Sequence, residues 1–176
     1  MKKIIIIICI ILLMSCLSKV KSDEFRIPDE AIRLRVLANS NSTYDQAIKM
    51  KVSAELQQEL FNMLKNTKGI EEARNIIKNN IDLLDQKIDD VLKENNYNQE
   101  YKITFGQNYF PEKNYKGVTY NDGYYESVLV TLGEGKGDNW WCVLFPPLCL
   151  LEAQESELDE VEYQFFVKNL IERIFE

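Results

Sequence analysis

"IRLRVLANSNSTYDQAIKMKV" (residues 32–52) contains a change of hydrophobic period, and that change sets the fold class. Ile32, Leu34, Val36 and Ala38 alternate with Arg33 and Arg35, the period of a half-buried strand whose arginines face solvent. In the turn that follows, Ser42 precedes Asp45 by three residues and Thr43 precedes Gln46 by three, and either pair suits a capping box. Ile48, Val52, Leu56, Leu60 and Met63 or Leu64 then recur at helical spacing to about Asn66. A strand that leads directly into an amphipathic helix points to a layered α and β architecture.

Working outward, Thr67 can cap a second helix, with Ile70, Ala73, Ile77, Ile81, Leu84, Ile88 and Val91 on one stripe. Gly69 suits the turn between the two. From Tyr101 the period shortens again: "YKITFGQNYF" and "GYYESVLVTLG" are rich in aromatic and β-branched residues, and Asn121-Asp122-Gly123 makes a turn into the latter. "GEGKGDN" (133–139) reads as a flexible connector rather than a phosphate loop, because the Lys-Ser/Thr ending is missing. Residues 161–167 alternate like a strand, and 170–175 are spaced like a helix. The expected fold is α+β: a mostly antiparallel sheet from segments 32–38, 101–110, 118–132 and 140–145, covered on one face by two long helices.

The N-terminus settles the compartment expected of the chain. Lys2 and Lys3 precede an apolar run from Ile4 to Met14, too short to span a bilayer comfortably as a helix, which is a signal-peptide pattern over residues 1–22. Leu13-Met14-Ser15-Cys16 resembles a lipobox, in which Cys16 would be acylated and would tether the protein to a membrane; cleavage near Ser18 or Ser22 competes with it. Residues 23–31 form a linker, and residues 32–176 are long enough for a single globular domain. Removing the four lysines of residues 1–22 takes the formal charge from −7 to about −11, which disfavours nucleic acid as a partner.

The chain has no histidine, which excludes Ser-His-Asp and Cys-His catalysis and every His-containing metal site. Ser40 or Ser42 with Lys49 as base needs no histidine, but helix capping already explains both serines. No carboxylate pair stands out among the 28 acidic residues. No cofactor or metal is implied.

The most apolar segment after the signal is "GDNWWCVLFPPLCLL" (137–151). Pro146 and Pro147 must end any strand formed by Trp140 to Phe145. Adjacent Trp140 and Trp141 face opposite sides of an extended chain, so the two can serve core and surface separately. Cys142 and Cys149 are the only cysteines outside the signal segment, and an oxidising location would let them pair; two reduced, buried thiols are the alternative. Asn139, Trp140, Trp141, Phe145, Pro146 and Pro147, braced by such a bond, form a candidate docking surface. Arg33, Arg35 and Asn39 form a second candidate patch.

Segments 32–52 and 123–151, with "FGQNYFPEKNYKG" between them, resemble the signature regions of the stage II sporulation protein R family. Asn41, Thr43 and Tyr44 depart from the more acidic, Pro-containing turn associated with that family. The resemblance implies an exported signal made in the forespore, acting in the space between forespore and mother cell. There it would trigger a membrane-embedded aspartic protease that processes an inactive pro-sigma factor, with no catalysis of its own. The alternative from the residues alone is an exported cell-wall or carbohydrate-binding module that stacks sugars on exposed tryptophans; an enzyme built on two carboxylates stands behind it.

Overall fold

A computed structural model describes residues 30–115 and 118–148, with Asn169. The signal segment with Cys16, the linker up to Asp29, Cys149 and, apart from Asn169, the 161–175 segment lie outside the described residues.

Strand β1 (Ile32–Leu37) is followed by helices α1 (Thr43–Leu64), α2 (Ile70–Asn79) and α3 (Ile81–Glu94). Five strands complete the order: β2 (Tyr101–Phe110), β3 (Lys113–Tyr115), β4 (Val118–Tyr120), β5 (Gly123–Leu132) and β6 (Asn139–Phe145). Four of them form one sheet in the order β2-β5-β1-β6. β1 runs antiparallel to β6 and parallel to β5, while β2 and β5 are antiparallel. The fold is α+β as expected, and the sheet is mixed. The parallel pair follows from the helical crossover between β1 and the β2–β5 hairpin, since parallel neighbours need a long connection.

β2 and β5 continue beyond the sheet as an arm. Phe110 pairs with Gly123, Lys113 with Tyr120 and Tyr115 with Val118, so a single hairpin register runs through the short interruption at residues 111–112 and 121–122.

The helices cover one face of the sheet. α1 buries Ile48, Val52, Leu56, Leu60 and Leu64, the stripe read from the sequence, against Ile32, Leu34 and Val36 of β1 and Val128, Val130 and Leu132 of β5. Each such side chain contributes about 1.5–3 kcal/mol of burial. The second predicted helix is in fact two. At Asn80 the side-chain amide donates to the Ile76 carbonyl at 2.7 Å and the backbone leaves helical geometry, so α2 ends there and α3 starts at Ile81. Asparagine competes with the helical ladder in this way. α2 also begins at Gly69 without a side-chain cap, so Thr67 does not serve as one.

The corner between β1 and α1 is held by a buried carboxylate. Ser42 is the N-cap, accepting from the Asp45 backbone N–H at 3.1 Å. Asp45 does not return the bond, as a capping box would require. Its carboxylate instead accepts from Ser40 Oγ at 2.5 Å, Asn39 Nδ2 at 3.1 Å and Tyr97 Oη at 3.3 Å. Burial alone would raise its pKa, but these donors outweigh burial and hold it below the ordinary carboxylate value, while burial and the Asp45 charge push Tyr97 up to about 12. The residue 133–138 connection is fastened to the same corner rather than flexible. Gly137 N–H donates to the Ala38 carbonyl, Lys136 N–H to that of Asn39, and Glu134 N–H to Asn39 Oδ1. A Cβ on Gly133 or Gly137 would come within 2.3 Å of Asn39 Oδ1 or the Ser40 carbonyl oxygen, so glycine is required for this close approach.

Asp45→Asn is expected to destabilise the fold by about 2 kcal/mol, the cost of losing charge-assisted bonds in a buried setting. Because the Asp45 pKa is depressed on folding, its contribution is complete above about pH 4 and is lost as pH falls through the lower folded value. Urea melts at pH 7 and pH 3 should therefore show a smaller acid loss in the variant than in the parent protein.

Candidate functional site

The β1–β6 register assigns each face. Leu34 pairs with Cys142 and Val36 with Trp140, so Trp140 and Cys142 share the helix side; Arg33 pairs with Val143 and Arg35 with Trp141, so these four share the other. Trp140 packs on the helix-side core. Trp141 lies on the opposite face and is half-buried.

That second face is not an open, solvated surface. The hairpin arm bends across it, which brings Tyr109 and Phe110 of the edge strand β2 over β1 and β6. The Phe110 ring meets the rings of Trp141 and Tyr125 edge-on, with centroids 5.5 Å and 6.1 Å apart. Arg33 is only 2 % exposed, its guanidinium carbon 3.3 Å from the centre of the Tyr125 ring and 5.3 Å from that of Phe110. The outward, solvated Arg33 expected from β1 alternation is therefore corrected: alternation reports which face a residue is on, not whether a second layer covers that face.

Arg35 joins three elements. Its Nη1 donates to the Tyr109 carbonyl of the arm at 3.1 Å and its Nη2 to Asn139 Oδ1 of β6 at 3.4 Å. Its guanidinium carbon lies 5.7 Å from both the Phe110 and Trp141 ring centres. Burial lowers its pKa from a high starting value, so it stays charged. Lys113 of the arm, exposed, places its ammonium 5.2 Å from the Trp141 ring centre. Two buried donors in this cluster, Arg35 Nε and Trp141 Nε1, have no hydrogen-bond partner among the described residues. The result is a half-exposed indole ring in a frame of cations whose acceptors, the Tyr109 carbonyl and Asn139, are already engaged.

Of the nine partner-binding residues read from the sequence, Arg35, Asn139 and Trp141 come together here, with Arg33 buried behind them. Trp140 belongs to the helix-side packing. Phe145 is a core residue and Pro146 is buried beside it, with Pro147 half-buried at the strand end. Asn39 is occupied by the corner, between Asp45 and Glu134. Cys142 is buried at 7 % exposure, and its proposed partner Cys149 is outside the described residues. Lys113, Tyr109, Phe110 and Tyr125 were not singled out from the sequence. Their only signal was the dense aromatic pattern of both hairpin strands, which gives no hint that the arm folds back.

Ser40, Ser42 and Lys49 are engaged at the corner. Ser40 Oγ donates to Asp45 and Ser42 caps α1, while Lys49 Nζ donates to Gln46 Oε1 at 2.5 Å and to the Asp138 carbonyl at 3.3 Å. Among the described residues, no three His, Cys, Asp or Glu side chains are grouped to hold a metal ion, and no helix is long and apolar enough to cross a membrane.

The segments that build this face also carry the likeness to known proteins. The family model described as stage II sporulation protein R matches residues 28–155, which takes in every described strand and helix. The chain belongs to the stage II sporulation protein R family. A protein named Stage II sporulation protein R from Bacillus subtilis (strain 168) is 39 % identical over 151 residues, covering 85 % of this chain and 67 % of that one. No solved structure matches the chain. Membership in the family assigns this chain a role in sporulation, and the face with Trp141 lies wholly inside the matched span.

Arg33→Ala removes a buried cation–π contact and the packing of its stem. It is expected to cost about 2–3 kcal/mol in urea unfolding. If Arg33 instead faced solvent, the loss would stay within about 0.5 kcal/mol.

Proposed function

We propose that this protein is an exported sporulation signal that acts by docking, without catalysis of its own. Its partner is a membrane-embedded aspartic protease of the mother cell, which then processes an inactive pro-sigma factor. The observation that carries this reading is the family match across residues 28–155. The signal-peptide pattern at residues 1–22 supports export into the space between forespore and mother cell, with Cys16 as an optional lipid tether. The engagement of Ser40, Ser42 and Lys49 in capping and corner bonds supports a ligand rather than an enzyme.

Trp141, framed by Arg35, Asn139 and Lys113, is the anchor we assign to the protease. A large ring held rigid by its neighbours loses little entropy on binding. A Cys142–Cys149 bond would further fix the end of β6 and add roughly 2–3 kcal/mol by the chain-entropy model. The sugar-binding alternative loses ground because Trp140 packs on the helix-side core, so the two indoles form no shared platform.

The test is co-expression of the full chain with the protease and its pro-sigma substrate in a non-sporulating host. Cleavage is expected only when the chain is present. Trp141→Ala is expected to lower cleavage at least about tenfold, the scale of a hot-spot contact, when compared with the parent chain at a temperature where the variant is still folded. Trp140→Ala should act mainly through stability. Full cleavage by a folded Trp141→Ala variant would remove the anchor role, and absence of cleavage with the folded, exported parent chain would remove the protease reading itself.

A further inference from the structure

The hairpin arm has two sides, and the docking face uses one of them. Phe110 and Tyr125 point toward Arg33 and Trp141, whereas their neighbours Tyr109 and Tyr124 point the opposite way, on the helix side of the sheet. The helices do not reach that far. α2 covers the sheet as far as Glu126, which Arg74 of α2 grips through Nε at 2.7 Å. Past this contact Tyr109 and Tyr124, directly paired across the hairpin with ring centroids 5.6 Å apart, stand uncovered at 48 % and 74 % exposure.

Beside Tyr124 a cavity of about 310 Å³ opens between the arm, the start of α2 and the residues before β1. Ala31 and Ile70 give it an apolar floor, and Tyr124 and Gln107 line the strand side. Its charges are Glu30, Glu71 and Glu126 against Arg74, and Arg74 is already held by Glu71 at 2.5 Å as well as by Glu126. Three carboxylates against one engaged guanidinium leave an excess of negative charge around an aromatic wall.

We propose that this uncovered side of the arm is a second docking surface, distinct from the Trp141 face, and that it receives a basic segment of a protein partner. The charge complementarity decides the occupant. A lysine or arginine stem can lie on Ile70 and Ala31, with its cationic head among the carboxylates and against the Tyr124 ring. The acidic balance of the whole chain, −7, steers such a partner in the same sense.

The test is an NMR titration of the ¹⁵N-labelled full-length chain in mild detergent. The probe is the peptide acetyl-Gly-Lys-Leu-Lys-Gly-amide, compared with the same peptide acetylated on both lysines. Saturable shifts are expected at the amides of Ala31, Ile70, Gln107 and Tyr124, with binding weaker by about fivefold or more for the acetylated peptide. Tyr124→Ala and Glu30→Gln alter exposed groups and should keep the fold while weakening the charged peptide to a similar extent. Equal shifts from both peptides, shifts confined to other amides, or unchanged binding by the two variants would overturn the proposal. The readout does not involve the protease, so it stands or falls separately from the Trp141 anchor.

Discussion

Strand β1 is hydrogen-bonded along both edges, to β5 on one side and β6 on the other, and the rest of the molecule is arranged around that constraint. A strand in this position exposes neither edge, and here both of its faces are covered as well. Ile32, Leu34 and Val36 meet the helices by ordinary apolar burial. Arg33 and Arg35 cannot be covered that way, because an unpaired guanidinium in an apolar layer would carry a heavy desolvation cost. Aromatic rings and backbone carbonyls solve the problem, and the hairpin arm delivers them: Tyr125 and Phe110 to Arg33, the Tyr109 carbonyl to Arg35. The arginines of the central strand thus determine where the arm lies.

The position of the arm in turn shapes both proposed surfaces. On its inner side it frames Trp141 with cations, and on its outer side it leaves a tyrosine pair over a carboxylate-lined cavity. The two sides therefore carry opposite charge and would select different partner groups. The start of β6 is fixed twice: Asn139 by Arg35, and the connection before it by the corner at Asn39, Ser40 and Asp45. A ring mounted on a strand held in this way is preorganised, which lowers the entropic cost of any contact it makes.

Much of this was legible in the residues. The stripe of α1, the strand character of β1, β2, β5 and β6, and the opposite facing of Trp140 and Trp141 all follow from spacing alone. The failures have definite physical causes. Arg33 was assigned to solvent because a two-residue period distinguishes faces but carries no information about a second covering layer. The helix from Ile70 was read as continuous because its apolar stripe persists across Asn80, while the break is made by a side-chain bond to the Ile76 carbonyl. The 133–138 connection was read as flexible from its glycines, whereas two of them are there to let backbone approach Asn39 and Ser40. Lys113 and Phe110 could not be placed beside Trp141 without knowing that the arm folds over the sheet.

The central claim, that the Trp141 side of the arm meets the protease, is tested most directly by photo-crosslinking. A benzophenone amino acid placed at Lys113, beside the Trp141 ring, would be compared with one at Leu83, an exposed position on the helix layer, in cells co-expressing the protease. The account predicts a covalent adduct with the protease from position 113 and none from position 83. An adduct from position 83 alone, with pro-sigma cleavage proceeding normally, would contradict it.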